Sequence, residues 1–324
     1  MNKIKPQHHT LIQLIQFLTG KGNIDNISRT KAYLNYYKRN PEIEWAFLAS
    51  MVSRNAGYNM TDLEGSWFPF CIEKEKREQI FYTYERANWL IFSDAYPQLL
   101  IYEASKRSGK PLFHCLSAFS VSIFMQKEWE RFFQEGDRKR LMTALIINEQ
   151  NLIQKPVIEH PFYKKKVFRS FCFRFQDWLH FCSVIFPTLS GEVYGLSVNH
   201  FSHLNDRITL GKRLAHLLFH PEHYSKFYEF ALSIEHTGSR YDYERNMKNF
   251  SEKETPPLRV MFPRIYHHQA ARSQWYASKK QLDKWFKTVP MQDNICITEW
   301  YKRKQEQLHL AVAIENYVLK KPSY

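Results

Sequence analysis

Glycine is scarce in this chain, with only 10 residues among 324. An average protein contains about 7% glycine, roughly twice as much. Tight β-hairpin turns depend on glycine where φ is positive, so a fold of many short strands is disfavoured. The sequence also lacks the GxGxxG and GxxxxGK[ST] patterns of phosphate-binding loops. The shortage of glycine therefore favours a helical fold.

Most of the chain has helical periodicity or helix-capping signals. Arg138–Ile153 follows Asp137, a preferred N-cap residue, and Glu73–Asp94 is rich in helix formers. A second helix is predicted to begin near Pro97 and end at Gly109, since proline suits a first turn. Aromatic residues recur at helical spacing over Phe168–Phe186, which predicts a core helix. We predict an all-α or predominantly α fold, a multi-helix globular bundle that leaves room for a basic C-terminal subdomain.

A charged segment at 239–257 contains few aliphatic residues and ends in two consecutive prolines. This composition is typical of a loop or linker. As a linker, it would separate a large helical domain, 1–238, from a basic, aromatic-rich helical part, 258–324. As a loop, it would lie within one domain spanning 1–324. The sequence leaves both arrangements open.

The net charge of +14 is unevenly distributed. Residues 1–40 contain seven basic and one acidic residue, and residues 259–324 contain twelve basic and five acidic residues. Residues 41–110 contain eight basic and ten acidic residues. A basic balance indicates a polyanionic partner, either nucleic acid or an anionic membrane surface. A solvated, lysine-rich surface that aids solubility is the alternative.

Basic and aromatic residues alternate near the C-terminus. Lys280, Lys284 and Lys287 have the spacing of one helical face. Such a face can bind phosphates while neighbouring aromatic rings stack on bases, or it can contact anionic lipid. A helix that buries its tryptophans and exposes a lysine edge has the same pattern. The predicted polyanion-binding residues are Lys279, Lys280, Lys284, Lys287, Lys302, Arg303 and Lys304.

A dense polar run follows the apolar helical stretch Trp45–Val52. Polar side chains near a core need partners, so the run is either a helix end or a site. Gly57 suits a helix C-terminus, and Thr61–Glu64 has the spacing of a capping box; both favour a helix end. The site interpretation uses a guanidinium that suits carboxylate or phosphate. Its candidate residues are Arg54, Asn55, Asn59 and Asp62.

A second polar cluster, at 236–242, offers an imidazole, a guanidinium and a carboxylate. His236 belongs to a residue type that titrates near neutral pH, so it is a candidate general base. Plain capping of a helix end explains the pattern equally well. The candidate residues are His236, Arg240 and Asp242. If both clusters converge on one pocket, they suit a hydrolase or transferase acting on an anionic substrate. The other hypotheses are a polyanion-binding protein and a structural or interaction protein without activity.

The sequence predicts neither a metal nor another cofactor. The five cysteines are widely spaced and form no CxxC pair, as expected for reduced thiols in the cytoplasm. His216 and His220 have i,i+4 spacing, but Pro221 and the absence of HExxH argue against zinc. We find no signal-peptide core and no apolar segment long enough to cross a bilayer. A cytoplasmic protein without a transmembrane segment is therefore expected.

Three segments together resemble one bacterial family. They are Ser28–Tyr33, the run from Met51 to Leu63, and His236–Arg240. The resemblance is to the uncharacterised YppC-like family of Bacillus-type Firmicutes, and it extends over nearly the whole chain. Because that family is a domain of unknown function, the resemblance implies a cytoplasmic bacterial protein but no mechanism, cofactor or site residue.

Overall fold

The computed structural model describes residues 8–65, 68–161, 183–197, 203–247, 255–267, 274–290 and 296–307. Helices dominate these ranges, so the predicted fold class, predominantly α, is confirmed. None of the described helices combines the length and the apolar composition that a bilayer crossing requires. In chain order the α-helices are α1 (His9–Gly22), α2 (Asn26–Arg39), α3 (Glu44–Asp62), α4 (Phe68–Cys71), α5 (Lys74–Ser108), α6 (Ile123–Glu135), α7 (Arg138–Ile153), α8 (Leu204–Leu218), α9 (Tyr224–Ser233), α10 (Tyr241–Glu244), α11 (Leu258–Met261) and α12 (Lys279–Phe286). A 3₁₀ helix spans Phe113–Phe119, a π-helical turn spans Gln154–Ile158, and residues 298–307 are also helical.

Two short strands form a small sheet. Strand β1 (Ser183–Pro187) pairs antiparallel with β2 (Val193–Ser197). The predicted helix over Phe168–Phe186 is therefore wrong at residues 183–186, where a valine and an isoleucine favour a strand. The rest of that prediction, 168–182, lies outside the described residues.

Helix α3 lies at the centre of the fold. It packs against α2, α5, α7, α8 and β1. Trp45 and Phe47, in its N-terminal half, are at most 1% exposed and belong to the main hydrophobic core. The ring of Tyr37 stacks on Phe47, with 5.1 Å between the centroids. Because neighbouring elements enclose the helix, its polar C-terminal half also lies inside the protein.

The predicted helix end at Gly57 is wrong, because α3 continues to Asp62. Thr61 does not begin a new element either, and its hydroxyl donates to the carbonyl oxygen of Gly238 at 2.6 Å. A Cβ atom at Gly57 would lie 2.5 Å from Asn26 Oδ1 and 2.8 Å from the His236 ring. This glycine therefore allows two side chains to reach the helix surface and does not end the helix.

Helix α5 runs without interruption from Lys74 to Ser108, where the sequence predicts two helices. Pro97 lies inside it, at the cost of one backbone hydrogen bond. Leu99, just after the proline, is fully buried. Tertiary packing usually contributes more to helix stability than local propensity does, which explains why the helix continues. The predicted N-cap of α7 is confirmed, since the Asp137 carboxylate accepts a hydrogen bond from a backbone N–H of the first turn at 2.9 Å.

Candidate polar centre and basic groove

The two polar clusters predicted from the sequence meet in the structure. The first lies on α3, and the second lies in the segment 234–247, which packs along that helix. All seven candidate residues are at most 8% exposed: Arg54, Asn55, Asn59, Asp62, His236, Arg240 and Asp242. The division of the chain into domains around 239–257 stays a prediction. The partners of each buried residue decide what the centre can do chemically.

Arg240 and Asp62 form a buried ion pair in this centre. Arg240 Nε donates to Asp62 Oδ2 at 2.6 Å, and Arg240 Nη2 donates to Asn59 Oδ1 at 3.4 Å. Burial raises the pKa of Asp62 above its ordinary value, although the charge and hydrogen bonds of Arg240 oppose this shift. The carboxylate is thus committed to the guanidinium, and the pair fixes the segment after α9 to the end of α3.

A second carboxyl group, Glu244, joins the same network. Arg240 Nη1 donates to the hydroxyls of Tyr243 and Tyr301, the latter at 3.1 Å. The Tyr301 hydroxyl in turn donates to Glu244. Burial raises the pKa of Glu244 to about 7, although the positive charge of Arg240 opposes the shift. The Arg240 guanidinium therefore contacts the Asp62 carboxylate directly and is linked to the Glu244 carboxyl group through the Tyr301 hydroxyl. Of these two carboxyl groups, that of Glu244 titrates near neutral pH.

His236 is a neutral, enclosed imidazole. Its Nε2 lies 2.8 Å from Asn26 Oδ1, and Asn26 Nδ2 donates to the Ser53 carbonyl oxygen at 2.7 Å. This second bond orients the amide, so Nε2 of His236 carries the ring proton. Burial lowers the pKa of His236 to about 4, and its Nδ1 lies 3.7 Å from Asp242, which accepts hydrogen bonds from Thr237. Such an imidazole is poorly suited to general-base catalysis at neutral pH.

Arg54 and Asn55 tie α3 to the elements beside it. Arg54 Nη2 donates to the Ile234 carbonyl oxygen at 2.6 Å, and its Nε donates to the Tyr58 hydroxyl at 2.7 Å. Asn55 Oδ1 accepts a hydrogen bond from the Ile185 backbone N–H at 3.1 Å, so its amide pairs with β1 as a neighbouring strand would. The partners in this centre are protein groups, and neither cavity described below is lined by any of the seven candidate residues. Their contacts join α3 to the elements around it, and a catalytic role for the seven residues stays a prediction.

Replacing Gly57 by alanine is expected to destabilise the protein. Alanine would favour the helix by up to about 1 kcal/mol, but its Cβ would collide with the Asn26 and His236 side chains. Overpacking of this kind costs about 1–3 kcal/mol. The matched control is Gly20→Ala in α1, where nothing lies within 4 Å of the added Cβ. Urea denaturation measures the free energy of unfolding of both variants. If the two alanines stabilise the protein equally, the predicted collision at Gly57 does not occur.

The predicted basic helix is α12. The Ser278 hydroxyl accepts from the Gln281 N–H at 3.2 Å, and the Gln281 side chain accepts from the Ser278 N–H at 2.9 Å, which completes a capping box. The four predicted lysines are all exposed: Lys279, Lys280, Lys284 and Lys287. Trp285, by contrast, is 6% exposed and donates to Asn205 Oδ1 at 2.7 Å, so it is not available for stacking on a base. An aromatic ring just before the helix, that of Tyr276, is 84% exposed.

An open groove of about 550 Å³ lies between α12 and the helices α6 and α7. Its charged lining residues are Lys127, Arg140, Lys279, Lys287, Glu128 and Asp283. Arg140 donates two hydrogen bonds to Glu128, at 2.7 and 2.8 Å, so these two charges neutralise each other. Among the residues that the structure describes, no carboxylate forms an ion pair with Lys127, Lys279 or Lys287. The groove therefore has positive charge available for a ligand.

The remaining predicted basic residues lie on the helical segment 298–307, which adjoins β2 through the backbone contacts of residues 296 and 297. Lys302 Nζ lies 3.2 Å from Glu299 Oε1, and Arg303 Nε donates to the Glu299 carbonyl oxygen at 3.3 Å. Tyr301 is 2% exposed and belongs to the network of Arg240. Two of the three predicted basic residues in this segment, Lys302 and Arg303, therefore make local contacts with Glu299. The third is Lys304.

Sequence reasoning missed an enclosed cavity of about 140 Å³ beside α3. Arg29 and Arg207, which are at most 3% exposed, line it together with Tyr33 and Glu149. Burial lowers the pKa of Arg207 to about 10 and raises the pKa of Glu149 to about 7. The Tyr33 hydroxyl has no hydrogen-bond partner within the described ranges. These four residues come from three separate helices, α2, α7 and α8, so no local sequence pattern marks the cavity.

Two groups of His, Cys or Glu side chains in the described part of the chain have their ligand atoms close enough together to hold a metal ion. One consists of His220, Glu222 and His223, and it does not include the predicted i,i+4 partner His216. The other consists of His8, His114 and Cys115. In each group the ligand atoms lie within 4.8 Å of one another. The second group was missed because 106 positions separate its two histidines.

Comparison with known proteins gives a family but no activity. The family model described as "Protein of unknown function (DUF2515)" matches residues 21–302. The chain is 49% identical over 311 residues to "Uncharacterized protein YppC" of Bacillus subtilis (strain 168), and the match covers 96% of this chain and 97% of that protein. No solved structure matches the chain. The resemblance predicted from three segments is confirmed.

Proposed function

The chain belongs to the DUF2515 family of unknown function, so we propose a function from its own residues: it binds nucleic-acid phosphates through the groove between α6 and α12. The observation that carries this proposal is the set of lysines on and opposite α12 that have no carboxylate partner in the described ranges. We also propose a cytoplasmic location, which the unpaired thiols of Cys115 and Cys296 support.

The spacing of the lysines on α12 suits a phosphate backbone. Lys279 and Lys287 both line the groove, one at the start of the helix and one just beyond its last turn. They are about 12 Å apart along the axis, at 1.5 Å per residue. Phosphates follow one another at about 3.4 Å per step along one DNA strand, so the two lysines span about three to four steps. Lys127, on the opposite wall, supplies a further cation, and the exposed ring of Tyr276 supports stacking on an unpaired base.

Neutralising the lysines of α12 is expected to weaken nucleic-acid binding. The variant replaces Lys279, Lys280, Lys284 and Lys287 by glutamine, and fluorescence anisotropy with labelled single- and double-stranded DNA and RNA measures affinity over a salt series. Each lost phosphate contact should reduce the slope of log K against log salt by about 0.7 on a single strand and about 0.9 on duplex DNA.

The control must change the net charge by the same amount elsewhere. Four exposed lysines on other helices or loops serve this purpose when replaced by glutamine: Lys31, Lys38, Lys74 and Lys110. Equal weakening in both variants would show that the total charge, and not this face, drives binding. Wild-type protein that binds vesicles of anionic lipid but no nucleic acid would contradict the proposal.

The alternative function, an enzyme acting on an anionic substrate, has its support in the 140 Å³ cavity and not in the seven residues around α3. Arg207 places a buried guanidinium at the cavity wall, where it donates to Gln150 at 2.9 Å and to Gln154. Glu149, with a pKa of about 7, suits proton transfer at neutral pH. The cavity is smaller than the roughly 300–1,000 Å³ of most ligand pockets, so it suits only a small anion.

A further inference from the structure

We propose that His8, His114 and Cys115 bind a zinc-like divalent transition-metal ion. The three side chains come from two distant parts of the chain. His8 immediately precedes α1, whereas His114 and Cys115 lie in the 3₁₀ helix Phe113–Phe119. Two imidazoles and a thiolate form the type of donor set that zinc, cobalt and related ions prefer over magnesium or calcium.

The distances fit a tetrahedral ion. His8 Nδ1 lies 3.1 Å from His114 Nε2, and His114 Nε2 lies 3.5 Å from Cys115 Sγ. Zinc bonds of about 2.0–2.1 Å to nitrogen and about 2.3 Å to sulfur give tetrahedral edges of about 3.3 Å between nitrogens and about 3.6 Å between nitrogen and sulfur. Two of the three edges therefore already match, and the third, from His8 Nδ1 to Cys115 Sγ, is at most 4.8 Å and can shorten by side-chain rotation.

The surroundings also suit a metal site. Cys115 Sγ belongs to a fully buried residue, while the two imidazoles are partly exposed and cover it. An ion can therefore approach from the surface and still bond to a protected sulfur. On binding, the Cys115 thiol releases its proton to solvent and the thiolate bonds to the ion. The bound ion would join the start of α1 to the 3₁₀ helix that follows α5.

The second histidine group is a weaker candidate. His220 Nδ1 already accepts a hydrogen bond from the Glu222 backbone N–H at 3.4 Å, within a turn. Glu222 is exposed, so its carboxylate would have to give up hydration to bind an ion. This group contains no sulfur donor, and spectroscopy can therefore distinguish the two groups.

Cobalt(II) binding to the full-length protein tests the proposal. Wild-type protein is expected to bind one Co²⁺ ion at this site, with a thiolate-to-cobalt charge-transfer band in the near ultraviolet, and Zn²⁺ should displace it. The band should disappear in Cys115→Ser. In His8→Ala the affinity should fall by about 100-fold or more, since even an outer-shell partner is worth about 10–100-fold. His8 makes no side-chain capping bond to α1, so this variant should fold normally.

Matched controls identify the sulfur. Cys296→Ser removes an exposed thiol and His223→Ala disrupts the other histidine group, and both should keep the charge-transfer band. Zn²⁺ should raise the melting temperature of wild-type protein but not that of His8→Ala. The absence of the band in wild-type protein, its persistence in Cys115→Ser, or its loss in Cys296→Ser would overturn the proposal. An imidazole–imidazole hydrogen bond would then account for the His8–His114 contact.

Discussion

Asp62→Asn is expected to lower the free energy of unfolding by about 3–5 kcal/mol, the usual cost of breaking a buried ion pair from one side. The change preserves the shape of the side chain but leaves the buried guanidinium of Arg240 without its nearest anion. Urea denaturation at pH 7 measures the loss. The effect should be among the largest of any single polar substitution in the described part of the chain.

A double-mutant cycle separates the ion pair from general disruption. Removing both charges, in Asp62→Asn with Arg240→Met, should destabilise less than the sum of the two single changes, because no unpaired charge remains. Glu135→Gln is the control, since it breaks the Arg131–Glu135 pair, in which both side chains are 48% exposed. Exposed pairs of this type contribute about 0.3–0.5 kcal/mol. An Asp62→Asn loss no larger than that of the control would rule out a stabilising ion pair.

Glu244→Gln is expected to make the stability of the protein depend less on pH between about 4.5 and about 7. The pKa of Glu244 is raised from 4.5 in the unfolded chain to about 7 in the folded state. Between those values the folded state binds more protons, so stability falls as the pH rises through this window and levels off above it. A shift of this size corresponds to about 3 kcal/mol. Glutamine keeps an acceptor for the Tyr301 hydroxyl but carries no charge.

Urea denaturation of wild type and Glu244→Gln at pH 5 and pH 8 measures this difference. Wild-type protein should lose more stability than the variant between the two pH values, by about 1–3 kcal/mol. The variant should keep part of the pH dependence, because the pKa of Glu149 is raised in the same direction. Glu235→Gln, which removes an exposed carboxyl in the same segment, should behave like wild type. Identical pH dependence in all three proteins would contradict a buried, protonated Glu244.

Composition and short-range patterns predicted the helical class and several local features of the fold. The scarcity of glycine is counted over the whole chain. The Asp137 cap and the lysine spacing on α12 depend only on residues within one or two helical turns, and the structure has both. The errors at Gly57 and Pro97 have one cause. Locally, Gly57 favours the end of a helix and Pro97 favours the start of one, but packing against distant elements overrides both preferences.

The composition of the candidate site was predictable, but its geometry was not. Asp62 and Arg240 lie 178 positions apart, and Asn26 and His236 lie 210 positions apart. No periodicity links residues at such separations. The sequence therefore identified polar residues that needed partners, and only the fold shows that the two clusters satisfy each other. The enclosed cavity and the His8–His114 contact were not predicted for the same reason, since their residues are also far apart in the sequence.

These long-range contacts constrain how the protein is made on the ribosome. Helix α3 emerges with a row of polar side chains whose partners have not yet been synthesised. At about 5–20 residues per second, the wait for Arg240 and His236 lasts about 10–40 s. Throughout that interval Asp62 and Asn26 must remain hydrated, so the nascent N-terminal helices cannot close their final core. The polar centre of this fold can therefore form only after most of the chain has been translated.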